Sequence, residues 1–257
     1  MIGLLRAEML KLRTVKAGWV LVAVAAVIAA LVTVLFVVRT ADLGASSAIP
    51  PLGTRSWARL MLGFSDIGEG FALVLGILCV TGEYRHGTIT STFLAVPKRG
   101  KVIGAKLLTS LGAGLVIGAV LAVVVMGAGI PLAVARQVPA SSVLRQVPAV
   151  VPGAVVATGL YGLYGAGVGA LVRNQVLAIA SALAFSLVGE GIVSLLAPQV
   201  GRWLPDNAAA ALTGSTPGAS LGRLHLLVWW EGGLVMLAYG VLSAAVGVAT
   251  TLRADVT

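Results

Sequence analysis

Between Ala17 and Val38 the chain runs for 22 residues without a charged side chain, which as an α-helix is long enough to cross the hydrocarbon core of a bilayer. A secretory signal peptide has a shorter apolar region, so the run predicts a retained first transmembrane helix. Five further apolar runs follow, at about 60–80, 107–130, 148–172, 176–197 and 227–251, and with 17–38 they predict six crossings. Only 11% of the 257 residues are charged and 58% are hydrophobic, with a mean hydropathy of +1.02. A water-soluble domain of this size needs far more charge to cover its surface. The expected class is an all-α membrane protein, one transmembrane domain over residues 1–257.

The short polar segments between these runs set orientation. The basic residues concentrate in two of them, the N-terminal segment (Arg6, Lys11, Arg13, Lys16) and the segment 82–106 (Arg85, Lys98, Arg99, Lys101, Lys106). Excess Lys and Arg marks cytoplasmic segments, so both termini are expected in the cytoplasm and the protein in the cell membrane as a multi-pass chain. Trp57, Trp203, Trp229 and Trp230 then fall near the outer interface and Trp19 near the inner one. The net charge of +9 does not indicate nucleic acid, because no basic stripe with interleaved aromatics occurs. The single cysteine, Cys79, lies in an apolar run, excludes an internal disulfide and packs as a small hydrophobe.

Ahead of the first crossing, Leu5, Met9 and Leu12 fall at i, i+4 and i+7 and line one helix face, with Arg6 and Arg13 on another. This pattern fits an interfacial helix along the inner leaflet; a basic leader that only sets orientation fits it too. In the fourth run Gly165 and Gly169 form a GxxxG pair within a series of glycines, which permits close helix approach. No strand precedes it, so a dinucleotide-binding turn is excluded. Arg173, Asn174 and Gln175 make a very tight connection to the fifth run. In the external segment 198–226, Pro205-Asp206 and Gly214 bracket a short helix over Asn207–Leu212.

Acids inside membrane-length runs are expensive and face protein or water. Asp66 and Glu69, three residues apart, share a helix face, and Glu190 lies in the fifth run. Glu231 stands near the outer end of the sixth, so the four acids are expected at similar depth in the outer half of the membrane. They either line an exit path for a cationic or amphipathic cargo or pair with Arg55, Arg59, Arg202 and Arg223.

Catalytic and nucleotide-binding motifs fail in context. The glycine a phosphate loop needs five residues before Gly100-Lys101 is Ala95, so nucleotide hydrolysis has to come from another chain. Gly218–Gly222 with His225 matches G-x-S-x-G, but a nucleophile elbow needs a strand-to-helix turn. His86 and His225 fall on opposite sides of the bilayer and there is no H-E-x-x-H, so no metal centre and no enzyme are expected.

The stretch Glu83-Tyr84-Arg85-His86-Gly87-Thr88-Ile89, followed by Pro97-Lys98-Arg99 and Lys106, resembles the loop between helices two and three of ABC-2 type transporter permeases. Leu5-Arg6-Ala7-Glu8-Met9-Leu10-Lys11-Leu12-Arg13-Thr14 is similar to the start of those proteins. The resemblance implies the membrane subunit of an ABC exporter with an N-terminal elbow helix. Thr88–Val96 would be a cytoplasmic coupling helix between helices two and three, with Thr90 and Phe93 on it and Pro97 ending it. Glu83, Tyr84, Arg85, Gly87, Thr88, Ile89 and Arg99 would serve coupling to an ATPase, with Arg173, Asn174 and Gln175 as a second contact. The implied partners are two ABC ATPase subunits, which bind ATP and Mg, and a second copy of this chain or a related permease; this chain holds no cofactor. The residues alone leave room for a solvated loop that only sets topology, and for an ion- or proton-coupled transporter or channel using Asp66, Glu69 and Glu190.

Overall fold

The computed structural model describes residues 2–14, 16–43, 49–85, 87, 99–214 and 226–253, and among these there is helix and no strand. In chain order the helices are α1 (Ile2–Thr14), α2 (Lys16–Leu43), α3 (Arg55–Gly63), α4 (Gly68–Arg85), α5 (Arg99–Ala135), α6 (Ala140–Leu144), α7 (Val147–Val172), α8 (Gln175–Ala184), α9 (Glu190–Leu196), α10 (Pro198–Gly201), α11 (Pro205–Thr213) and α12 (Trp229–Arg253). A 3₁₀ turn over Phe64–Ile67 joins α3 to α4, and a π turn over Phe185–Gly189 joins α8 to α9. Six helical stretches are long and apolar enough to cross a membrane: Lys16–Asp42, Arg55–Arg85, Gly100–Ala135, Val147–Val172, Gln175–Leu196 and Trp229–Gly247. The chain is a multi-pass helical bundle.

Two stretches exceed their expected limits. The second runs from Arg55 to Arg85 rather than 60–80, and the third begins at Arg99 rather than near 107. The segment between them is therefore 86–98 and not 82–106, and Arg99, Lys101 and Lys106 ride on α5. At 37 residues α5 is about 55 Å long, well beyond the ~30 Å hydrocarbon core.

The organising element is α7, the most buried of the six, with α4, α5 and α12 all packed on it. Its glycines are the reason. A Cβ on Gly165 would overlap the Leu73 carbonyl oxygen and lie 2.8 Å from the carbonyl carbon; one on Gly76 would lie 2.7 Å from the Ala166 nitrogen. On the opposite side, a Cβ on Gly114 would lie 2.9 Å from the Gly159 Cα. Backbone meets backbone at these crossings, the arrangement small residues make possible without a hydrophobic drive between helices. Around them Ala72, Leu73, Ile77, Ile117, Leu121 and Tyr161 form the main core. Several hydroxyls in the apolar helices are satisfied within their own turn, as where Thr81 and Thr158 donate to Ile77 O and Ala154 O at 2.8 Å.

Trp57 turns its ring into the protein. It is 0% exposed, stacked on Phe36 with ring centroids 5.8 Å apart, in a second core with Met61 and Val143. Thr54 caps α3 by accepting from Trp57 N, which fixes that entry. Trp19, Trp203, Trp229 and Trp230 are exposed. The short helix bracketed by Pro205 and Gly214 is present as α11, closed by Gly214 at φ +60°.

Candidate functional site

The first site is a four-charge node where α1 meets the end of α4 and the start of α5. Lys106 Nζ donates to Glu8 Oε2 at 2.8 Å and to the Cys79 carbonyl at 3.2 Å, and pairs with Glu83 Oε1 at 2.8 Å. Lys11 Nζ closes the ring on Glu8 Oε1 at 2.8 Å and Glu83 Oε1 at 2.6 Å. Glu8 and Lys106 are each 1% exposed. Two cations and two carboxylates balance, which lets Glu8 and Lys106 sit out of water; either of these left alone there would be an uncompensated buried charge. Lys11 is half exposed. Burial alone would lower its pKa, but the hydrogen bonds to Glu8 and Glu83 outweigh it and hold the ammonium above the usual lysine value. That link is therefore complete below the ordinary lysine range and fades as pH rises through the raised value.

The sequence led to Glu83 and missed Glu8 and Lys106. The face of α1 that meets the bundle is centred on Glu8, with Leu5 and Leu12 of the expected stripe partly buried beside it and Met9 exposed. A signal existed. Glu8 is the lone acid of the basic leader and Glu83 the lone acid of 82–106, and a lone acid among cations seeks a partner.

Beside the node, the two segments expected to act in coupling come together. Tyr84 packs on the Val80, Ala166 and Ala170 cluster, and with Arg85 it faces Arg173, Asn174 and Gln175 across a cavity of about 450 Å³. The turn there is built locally. Arg173 closes α7 in the left-handed region at φ 57°, and the Asn174 side chain caps α8 by accepting from Leu177 N at 3.1 Å. Gly87 stands at positive φ after α4, and Arg99 opens α5. The coupling segment Thr88–Val96, with Thr88, Ile89, Thr90 and Phe93, as well as Pro97, His86, Gly218–Gly222, Arg223 and His225, lies outside the described residues.

The second site is at the other end of α4. Glu190, 2% exposed, accepts from the Asp206 backbone N–H at 2.8 Å, and the Tyr161 hydroxyl donates to Asp206 Oδ1. Glu69 lies within electrostatic reach of Asp66, Asp206 and Glu190. Tyr164 and Tyr239 extend the group through edge-on ring contacts of 6.4 and 5.8 Å. Three of the four expected acids thus gather, and Asp206, which sequence reasoning used only as a helix start, joins them. Glu231 does not; it accepts from Val228 N at 3.1 Å and caps its own helix. Three of the expected arginine partners make other contacts. Arg55 and Arg59 both donate to Gln146 Oε1, at 3.2 and 3.1 Å, and Arg202 lies over the Trp203 ring. Among the described residues neither Glu69 nor Glu190 has an arginine within ion-pair distance.

Burial pushes the Asp206 carboxyl above its ordinary value, against the opposing hydrogen bond from Tyr161. An acid whose folded pKa is raised favours the folded state most when protonated, so this contribution weakens as pH rises from the ordinary carboxylate range through the raised value. Asp206→Asn, which still accepts from Tyr161, is expected to flatten that fall in a series of thermal unfolding curves taken across the range. An unchanged slope would mean that Asp206 does not set it.

Among the described residues no group of three or more His, Cys, Asp or Glu side chains is arranged to hold a metal ion. The sequence matches no protein-family model and no curated protein.

Proposed function

We propose that the protein is the membrane-spanning permease subunit of an ATP-driven export system. It moves cargo outward by alternating access, with ATP and Mg bound by a separate pair of ATPase subunits and a second permease copy or related chain completing the path. The observation that carries this reading is the four-charge node. It ties α1 to both helices that flank residues 86–98, so a push on that segment reaches three helices at once. The length of α5 and the shared cavity of Arg85 and Arg173–Gln175 support the same reading. In it, α1 is the interfacial elbow, Thr88–Val96 the cytoplasmic coupling helix, and both termini are cytoplasmic in the cell membrane. Asp66, Glu69 and Glu190 stand where cargo would leave.

The expected result is co-purification of the chain with an ATPase subunit, lost when Thr88–Phe93 is replaced by a glycine-serine segment or Arg85 by alanine. A chain that purifies alone and transports without nucleotide would overturn it.

The gathering of Glu69, Glu190, Asp206 and Tyr161 in the bundle interior favours one second reading, an ion- or proton-coupled transporter or channel with these groups as relays. Transport driven by a pH gradient in vesicles without nucleotide, and abolished in Glu190→Gln, distinguishes it.

A further inference from the structure

The end of the bundle away from the node carries a different arrangement of charge. Arg55 and Arg59 are four residues apart and share one face of α3. Both aim Nε at the same atom, the side-chain oxygen of Gln146, at 3.2 and 3.1 Å. Gln146 stands at the N-cap of α7 but makes no side-chain cap bond there; its carboxamide serves α3 instead. The base is fixed, because Trp57, Ala58 and Met61 of α3 are buried in one core with Val143 of α6 and Val150 of α7. A neutral carboxamide does not balance two guanidiniums. Among the described residues no carboxylate comes within ion-pair distance of Arg55, Arg59 or the neighbouring Arg145. Each of the pair bonds Gln146 through Nε, which leaves the terminal nitrogens of two adjacent guanidiniums to an anion. Arg55 and Arg145 are exposed and Arg59 is half-buried. Arg55 and Val147 begin two of the membrane-length stretches, so the pair lies at headgroup level, in the leaflet opposite the node.

The geometry points to a binding site for the phosphate of one anionic phospholipid in that leaflet, held by Arg55 and Arg59 across the Gln146 carboxamide. Guanidiniums take phosphate oxygens in pairs, and a headgroup of net negative charge supplies what the protein lacks there. Leu144 and Pro148, two residues before and after Gln146, are exposed and offer the lipid an apolar contact that a soluble phosphate does not use. The inference goes beyond the exporter reading and does not depend on it, because binding is measured on the chain alone.

The test is native mass spectrometry of the purified, delipidated protein titrated with phosphatidylglycerol or phosphatidylcholine of the same acyl chains. Phosphatidylglycerol is expected to bind about tenfold more tightly or better, in keeping with the attraction that each basic residue adds at an anionic surface. Arg55→Gln with Arg59→Gln is expected to erase that preference. Gln146→Glu reaches the same end with both arginines in place, since a carboxylate between them supplies the missing charge and competes with the phosphate. Arg202→Gln, whose arginine lies over Trp203, is expected to leave the preference intact. Excess glycerol phosphate is expected not to displace the lipid. Equal binding of the two lipids to the wild type, or a preference kept in Gln146→Glu or in the double variant, would overturn the proposal. So would an equal loss in Arg202→Gln, which would make the effect one of general charge, or displacement by glycerol phosphate, which would make the site one for phosphate alone.

Discussion

Lys106→Met is expected to destabilise the protein by about 3–5 kcal/mol, the range for removing one partner of a buried ion pair. The substitution keeps most of the side-chain volume and removes the charge. Glu8 and Glu83 are then left with Lys11 alone, one half-exposed cation between two buried carboxylates. The magnitude separates this from a surface pair, for which less than about 1 kcal/mol would be lost. The partner experiment is Glu8→Gln with Lys106→Met, which leaves Glu83 and Lys11 as a balanced pair. It is expected to be clearly more stable than Lys106→Met alone, although both members of one contact are gone. Denaturation of the purified protein in detergent measures each variant, and a loss under about 1 kcal/mol for Lys106→Met would show that the node is wet.

Gly165→Val is expected to be at least as severe, costing about 3 kcal/mol or more. The new Cβ meets the Leu73 backbone, and a backbone inside a packed helix has no rotamer in which to move away. Relief requires α4 and α7 to separate, and separation breaks a crossing at which backbone meets backbone. Gly112→Ala is the control: a Cβ there meets nothing within 4 Å, and alanine raises helix propensity by up to about 1 kcal/mol over glycine. Folded yield and thermal stability should fall sharply for the first and hold or rise for the second. Similar yields for the two would mean the crossing is looser than its geometry.

What the sequence made legible follows from which forces act locally. Long apolar runs fix the number of crossings because a bilayer leaves an apolar helix few alternatives, and all six are present as helices of membrane-spanning length. The glycines of α7 were readable for the same reason, since a small-residue series in a membrane helix has few uses besides close approach. Pro205 and Gly214 mark their helix by backbone chemistry alone. The ends of the helices were less readable. Charge suggested that the second and third runs stop where Lys and Arg begin, yet α5 continues through Lys106, Lys101 and Arg99, since Lys106 finds buried partners on α1 and α4. Residue type says that Trp57 belongs near a membrane surface, and only packing shows that its ring is turned into the protein. The acids were half readable. Their cost in lipid predicts that Asp66, Glu69 and Glu190 turn inward, but only the fold brings Asp206 to Glu190 from a different helix.

The π turn at Phe185–Gly189 has a consequence for the phase of the fifth crossing. Its buried positions, Ala178 and Ala182 before the turn and Glu190 and Ser194 after it, all repeat every four residues. A regular α-helix advances 3.6 residues per turn, so a four-residue repeat slips by about 40° at each step. Left uncorrected, the slip would swing Glu190 off the line of Ala178 and away from Asp206. One widened turn takes up the accumulated angle and returns the second half of the helix to the heading of the first. The two halves thus behave as shafts joined at a fixed angular offset, and the offset is one residue long. Loss of a single residue from 185–189 would turn everything beyond it by about 100°, presenting an apolar side chain to Asp206 and Glu190 to the lipid.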